Sequence, residues 1–166
     1  MVELEIQDYN INHELFLKTK NLLTKLLGDN DSIIHVGSTA IPDMFGKNII
    51  DILIGADDSI IFNKYSRILS NNGYYPGKNS TEIYQFFASR EQETKSGDIH
   101  IHLVVKNTQR YNDFIILKNY LLNNKNERDD YSDFKKEILS KTTDRNEYRK
   151  IKSEFVSNLL NRARQN

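Results

Sequence analysis

A Gly-Ser pair followed by a carboxylate within an apolar strand is the part of the chain best suited to chemistry. Residues 35–42 read His-Val-Gly-Ser-Thr-Ala-Ile-Pro, which predicts a strand and a tight turn. The backbone N–H groups and hydroxyls of Gly37, Ser38 and Thr39 can bind a phosphate group at close range. Asp51 follows in the next apolar run, where it can hold the metal ion of a nucleoside triphosphate. The pattern indicates phosphate chemistry, and a turn without a ligand is the alternative.

Two histidines extend this candidate site. His100 and His102 alternate on a predicted strand, so their side chains point to the same face. Together with Asp51 they could bind a divalent metal, or one could act as the base for an incoming hydroxyl. The alternative to a functional role is that His100 and His102 are a hydrogen-bonded pair on a half-buried face. The presence of a third histidine, His35, on a strand beside the turn favours the functional interpretation. Lys47 could neutralise a phosphate or be an ordinary solvated lysine at the end of a strand.

The charged residues within predicted elements give two further expectations. A carboxylate in the run Ile-Ile-Asp-Ile-Leu-Ile is costly to bury without a partner, so we expect Asp51 to face a cleft. Basic residues near the C-terminus have acidic neighbours, which is typical of a solvated helix face. These residues are Arg145, Arg149, Lys150 and Lys152, beside Glu147 and Glu154.

Hydrophobic periodicity and turn residues predict an alternation of helices and strands. We predict helices at residues 12–27, 57–72, 109–124, 127–140 and 144–164, the first capped by Asn12 and ended by Gly28. We predict strands at residues 32–36, 48–56, 74–75, 82–89 and 98–105, with turns at residues 76–81 and 91–97. This order predicts a single domain over residues 1–166, of the α/β or α+β class.

Composition excludes several classes of function. Cysteine is absent from the 166 residues, so disulfides, thiolate metal sites and cysteine nucleophiles are excluded. Lys plus Arg equals Asp plus Glu at 23 each, which argues against a dedicated nucleic-acid surface. The acidic N-terminus shows no signal peptide, and no apolar run approaches the ~20 residues that span a bilayer. We expect a cytoplasmic protein without a membrane partner, and the sequence leaves its oligomeric state open.

The motifs resemble those of one family, GrpB, also called UPF0157, within the nucleotidyltransferase superfamily. The match rests on residues 35–42, on Lys-Asn-Ile-Ile-Asp-Ile-Leu-Ile at residues 47–54 and on His-Ile-His at residues 100–102. In the predicted C-terminal helices, Tyr-Ser-Asp-Phe-Lys at residues 131–135 and Tyr-Arg-Lys-Ile-Lys at residues 148–152 also match. The resemblance implies a nucleotidyltransferase-like mixed, twisted sheet with flanking helices and a C-terminal helical segment.

The chain departs from the family and superfamily patterns at a few positions. Asp43 replaces the usual glycine of the family, and Asn48 replaces its proline. Active nucleotidyltransferases usually present Asp-x-Asp plus a third carboxylate, but here Ile49 precedes Asp51 by two residues and Leu53 follows it by two. Neither aliphatic side chain can bind a metal, which puts two-metal catalysis in doubt.

The resemblance implies transfer of a nucleotidyl group from a nucleoside triphosphate to a small acceptor, with Mg²⁺ or another divalent metal. Gly37, Ser38, Thr39 and Lys47 would hold phosphates, while Asp51, His100 and His102 would serve in catalysis and metal binding. The broken Asp-x-Asp leaves a second hypothesis, a nucleotide- or phosphometabolite-binding module that has lost the chemistry. A third hypothesis is a His/Asp metal-dependent phosphohydrolase.

Overall fold

A five-stranded mixed sheet with helices on both faces forms the centre of the computed structural model, which describes residues 5–28, 31–78, 80–89 and 99–165. The strands in these ranges are β1 (Glu5–Ile6), β2 (Ile33–Val36), β3 (Phe45–Gly46), β4 (Ile50–Ala56), β5 (Tyr74–Pro76), β6 (Tyr84–Ser89) and β7 (Ile99–Val105). The helices are α1 (Tyr9–Leu27), α2 (Ser59–Asn71), α3 (Gln109–Asn123), α4 (Lys125–Lys141) and α5 (Arg145–Ala163).

The sheet has the strand order β2-β4-β7-β6-β5. Strands β4 and β7 are parallel, and the other neighbouring pairs are antiparallel. Strands β1 and β3 form a separate antiparallel pair that the sequence did not predict. The mixed sheet, the flanking helices and the helical C-terminal segment are confirmed. The predicted turn at residues 91–97 lies outside the described residues.

The two faces of the sheet pack against different helices because alternate residues of a strand point to opposite sides. Ile50, Ile52 and Ile54 of β4 are buried against α1 and α2. On the other face, Leu53 is fully buried in a cluster that α3 covers. A third cluster joins α3, α4 and α5 to the segment that contains Ile41 and Met44. Among the described residues, no helix is both long and apolar enough to cross a membrane.

The N-cap of the first helix lies four residues before the predicted cap, Asn12. The carboxylate of Asp8 accepts a hydrogen bond from the backbone N–H of Ile11 at 3.0 Å, so Asp8 is the N-cap. Asn12 is buried inside the helix, and its amide donates to the side-chain oxygen of Asn48 at 3.3 Å. The assignment of Asn12 as the cap is therefore wrong, because its side chain serves a tertiary contact. Gly28 ends the helix as predicted, with φ 76°.

Two residues around the Gly-Ser turn adopt positive φ, which side chains rarely tolerate. Asp43 has φ 60°, which explains why glycine suits this position and why aspartate, a residue that tolerates the left-handed region, replaces it. Gly37 has φ 73° and ψ −173°, a region open essentially to glycine. A Cβ atom on Gly37 would lie 2.4 Å from Oδ2 of Asp51. The turn therefore packs directly against the carboxylate of β4.

We predict that Gly37→Ala destabilises the fold by about 3–5 kcal/mol, since it adds a clash with Asp51 to backbone strain. Gly28→Ala is the control, because Gly28 has a similar φ but no atom lies within 4 Å of the position that its Cβ would take. Its cost should be about 1–2 kcal/mol, from strain alone. Urea unfolding of the three proteins measures the difference, and equal costs for the two variants would contradict the close packing of the turn on the carboxylate.

Candidate active site

Asp51 occupies the centre of the site, on the face of β4 that carries Leu53. Its side chain is 27% exposed, so the carboxylate is half-buried and reaches the surface. The predicted cleft-facing position is consistent with this exposure. Gly37, at the end of β2, covers Oδ2, and the short 3-10 turn Ser38–Ala40 starts at that point.

Both histidines of β7 contact Asp51, because the parallel register pairs Asp51 with His100 and places His102 two residues further on the same face. Nδ1 of His100 lies 3.3 Å from Oδ1 of Asp51, and Nε2 of His102 lies 3.4 Å from the same oxygen. The hydroxyl of Tyr84 on β6 lies 3.1 Å from Nδ1 of His102. This network assigns the tautomer: Tyr84 donates to Nδ1, and the Nε2–H of His102 donates to Asp51.

This network keeps Asp51 ionised. Burial by itself raises the pKa of Asp51, but hydrogen bonds from His100 and His102 more than offset the effect. The pKa therefore lies well below its ordinary value of 3.8. A carboxylate held in this way is a fixed negative charge and a hydrogen-bond acceptor rather than a base at neutral pH.

A buried lysine of α4 lies near the turn. Lys135 is only 3% exposed, and its ammonium donates to the backbone carbonyl of Phe45 in β3. It also lies 4.6 Å from the centre of the Tyr131 ring. Burial, with a further contribution from the positive charge of Lys152, lowers the pKa of Lys135 to about 7.

A second lysine, Lys152 of α5, lies on the same side. Its side chain is half-buried and lies close to Tyr131. Interaction with Tyr131 raises the pKa of Lys152 although burial opposes it, and Asp51 also contributes to the increase. Asp51 thus lies within electrostatic reach of Lys152. Neither Lys135 nor Lys152 forms an ion pair with a carboxylate in the part of the chain that the structure describes.

Strand β3 connects these lysines to the Gly-Ser turn. A Cβ atom on Gly46 would lie 3.0 Å from the hydroxyl oxygen of Ser38, so the serine packs against this strand. The neighbouring residue, Phe45, accepts a hydrogen bond from Lys135 through its carbonyl. Its N–H donates to the hydroxyl of Ser132 on α4 at 3.2 Å. Ser38 and the cationic side of α4 are therefore joined through two adjacent residues of β3.

Thr39 and His35 lie away from this site. Thr39 is buried, and its hydroxyl donates to the carbonyl of Ile49 at 3.4 Å and accepts from Nε2 of His35 at 3.0 Å. His35 stacks on Phe16 of α1, with ring centroids 4.7 Å apart. Burial, more than the nearby cations, lowers its pKa to about 4, so the ring is neutral. The structure does not bring the Thr39 hydroxyl to Asp51 as predicted, because this hydroxyl is bonded to His35, whose side chain lies on the other face of the sheet.

Lys47 precedes β4, as the sequence predicted. Its backbone carbonyl accepts a hydrogen bond from the side chain of Gln7, and its own side chain is half-buried. Its assignment as a phosphate ligand stays a prediction.

The side chains around Asp51 do not fit the predicted metal site. In the described ranges, no group of three or more His, Cys, Asp or Glu side chains is arranged to hold a metal ion. Nε2 of His102 donates to Oδ1 of Asp51, so this nitrogen acts as a hydrogen-bond donor and not as a metal ligand. The position two residues further along β4 is Leu53, which is fully buried. A single Mg²⁺ bound to substrate phosphates would find one protein carboxylate here, and a two-metal centre would find too few.

Sequence reasoning missed three side chains of this site. Lys152 was assigned to a solvated face, although Tyr148 and Leu159 place it on the buried stripe of α5. Lys135 likewise lies at the spacing of Tyr131 and Ile138, which are buried in α4. The helical period of these neighbours was the available signal. Tyr84 had no such signal, because its contact with His102 depends on the pairing of β6 with β7.

The comparisons with solved structures agree with this architecture. The crystal structure of the conserved protein GrpB from Enterococcus faecalis superposes with a TM-score of 0.82 and 21% sequence identity. The match covers 97% of this chain and 96% of that one. Cid1 poly(U) polymerase with bound MgGTP is a far weaker match, with a TM-score of 0.46 and 14% sequence identity. That match covers 72% of this chain and 42% of the polymerase chain. That likeness carries no argument about function.

The comparisons with protein sequences identify the family. A UPF0157 protein from Streptomyces coelicolor is 23% identical over 133 residues, which cover 76% of this chain and 66% of that protein. The glutamate-rich protein GrpB of Alkalihalophilus pseudofirmus is 33% identical over 116 residues, 64% of each chain. This chain thus spans just under two thirds of the length of these curated relatives. A family model described as GrpB protein matches residues 3–162, and the chain therefore belongs to the GrpB family.

Proposed function

We propose that this protein binds the phosphate groups of a nucleotide or a similar phosphorylated metabolite, between the turn at Gly37 and Ser38 and the lysines of α4 and α5. One observation carries the proposal. Lys135 and Lys152 are two ammonium groups on the same side of the fold, and the described residues supply no carboxylate ion pair for either. Two neighbouring cations that are buried or half-buried are costly, and a bound anion offsets that cost.

The turn supplies the other half of the proposed site. Ser38 contributes a hydroxyl, and the backbone of Gly37 allows a close approach because this residue has no side chain. Asp51 does not contact the phosphate in this proposal. It anchors His100 and His102 through its Oδ1 atom. The side chain of His100 is 33% exposed and that of His102 is 16% exposed, so His100 is the more accessible of the two histidines.

Nucleotidyl transfer stays a prediction beyond this binding function. The reaction needs a deprotonated acceptor hydroxyl and neutralisation of the triphosphate, which two metals normally provide. The single carboxylate, Asp51, does not supply that set of ligands. Binding without turnover is therefore the function that the geometry supports best, and release of pyrophosphate from a triphosphate would favour the enzyme instead.

We predict that Lys152→Met weakens binding of ATP and of pyrophosphate at least tenfold, because a charge-assisted hydrogen bond of about 1.5–3 kcal/mol is lost. Isothermal titration calorimetry at low salt measures the dissociation constants. Lys150→Met is the matched control, since Lys150 is exposed on the same helix, and it should change binding less than twofold. Equal effects of the two substitutions, or no binding by the unsubstituted protein, would contradict the proposed site.

We also predict that binding takes up a proton near neutral pH. The pKa of Lys135 is lowered to about 7, so part of its population is neutral at pH 7.5. An anion favours the ammonium form, which raises this pKa and makes binding tighter as the pH falls from 8.5 towards 7. Titrations in buffers with different ionisation enthalpies measure the proton uptake.

Lys135→Met should abolish this proton uptake. Lys136→Met, a change at the exposed neighbouring lysine, should preserve it. If pyrophosphate binds the unsubstituted protein with no proton uptake between pH 7 and 8.5, Lys135 does not respond to the ligand.

A further inference from the structure

We infer that the phosphorylated ligand binds without a divalent cation, the ammonium groups of Lys135 and Lys152 taking the place of Mg²⁺. This inference rests on the proposed function. It adds that the ligand binds as a free phosphate or polyphosphate anion and not as its magnesium complex. It concerns how the negative charge of the ligand is neutralised, which neither the family membership nor the related folds determine.

The ligands that Mg²⁺ needs are scarce in this part of the chain. The ion prefers six oxygen ligands in octahedral geometry and is held by one or two carboxylates together with substrate phosphates. Ile49 and Leu53 flank Asp51 at the two positions that could have carried a second strand carboxylate. On β7, imidazole groups stand at His100 and His102, and Mg²⁺ binds nitrogen poorly compared with oxygen.

The one carboxylate is also engaged on both of its oxygens. Oδ1 of Asp51 accepts from Nε2 of His102 and lies 3.3 Å from Nδ1 of His100, and Oδ2 packs against Gly37. A cation that binds Oδ1 would meet the N–H of His102 that points at this oxygen, with Nδ1 of His100 3.3 Å from the same atom. Coordination there would break the hydrogen bond from His102, and the positive end of that N–H dipole would repel the cation.

The fixed charges already favour an anion. Asp51 carries one negative charge, while Lys135 and Lys152 carry two positive charges when both are protonated. With both lysines protonated, these three groups carry a net positive charge, and a bound anion favours that state because it raises the pKa of Lys135. A site with three carboxylates repels a polyphosphate until divalent metals reverse its charge, whereas this site has no such barrier to overcome.

Calorimetric titration with pyrophosphate, in EDTA and in excess MgCl₂, tests the inference. We expect binding in EDTA to be as tight as in MgCl₂ or tighter, since free pyrophosphate carries more negative charge than its magnesium complex. Binding seen only in MgCl₂ would overturn the inference and leave the proposed function standing. Absence of binding in both solutions would overturn the proposed function, and the inference with it.

Substitution of Asp51 gives a second test, because metal-free and metal-dependent binding predict opposite changes in the affinity for pyrophosphate. Asp51→Asn keeps the size of the side chain and removes a negative charge near the ligand, so pyrophosphate should bind severalfold more tightly in EDTA. If Asp51 were a metal ligand, the same substitution would weaken binding in MgCl₂ by tenfold or more, which would overturn the inference. Lys152→Met in EDTA should lose at least tenfold, because the lysine is then the cation that the ligand contacts.

Discussion

The close approach of Gly37 to Asp51 is the constraint on which the rest of the site depends. A turn residue without a side chain lets the backbone after β2 pack on the carboxylate of β4. The turn then covers one oxygen of Asp51, and the histidines of β7 bind the other. An ionised, oriented carboxylate follows from this packing, and its position fixes the side of the sheet on which His100 and His102 converge.

The lysines of the C-terminal helices give this site its electrostatic character. A carboxylate and two histidines would by themselves attract cations or remain a structural network. Lys135 and Lys152 change that balance, because α4 places Lys135 beside β3 and α5 places Lys152 near Asp51, with no ion-paired carboxylate among the described residues. Burial strengthens their field, since the medium around them screens charge less than water does. The site is thus suited to an anion that brings its own negative charge.

The sequence predicted the sheet, the five helices and the convergence of Asp51 with the two histidines, because strong hydrophobic periods and a specific motif carry that information. It did not determine the role of His35, because a shift of one residue along a strand reverses the face: Val36, not His35, lies opposite Asp51. It missed Lys152 because local charge balance suggested a solvated face, whereas burial of that residue depends on helix packing. Contacts across distant elements, such as the hydrogen bond of Tyr84 to His102, leave no local pattern.

A crystal structure of the protein with pyrophosphate, grown in EDTA, tests the central claim most directly. We expect the anion within hydrogen-bond distance of the Lys152 ammonium and the Ser38 hydroxyl, with Asp51 still bound to both histidines. A cleft of about 400 Å³ lies elsewhere in the fold, lined by His13, Lys118 and other residues of α1, β2 and α3, and it is a possible alternative binding site. Pyrophosphate bound only in that cleft, or absent from the crystal at saturating concentration, would contradict the account.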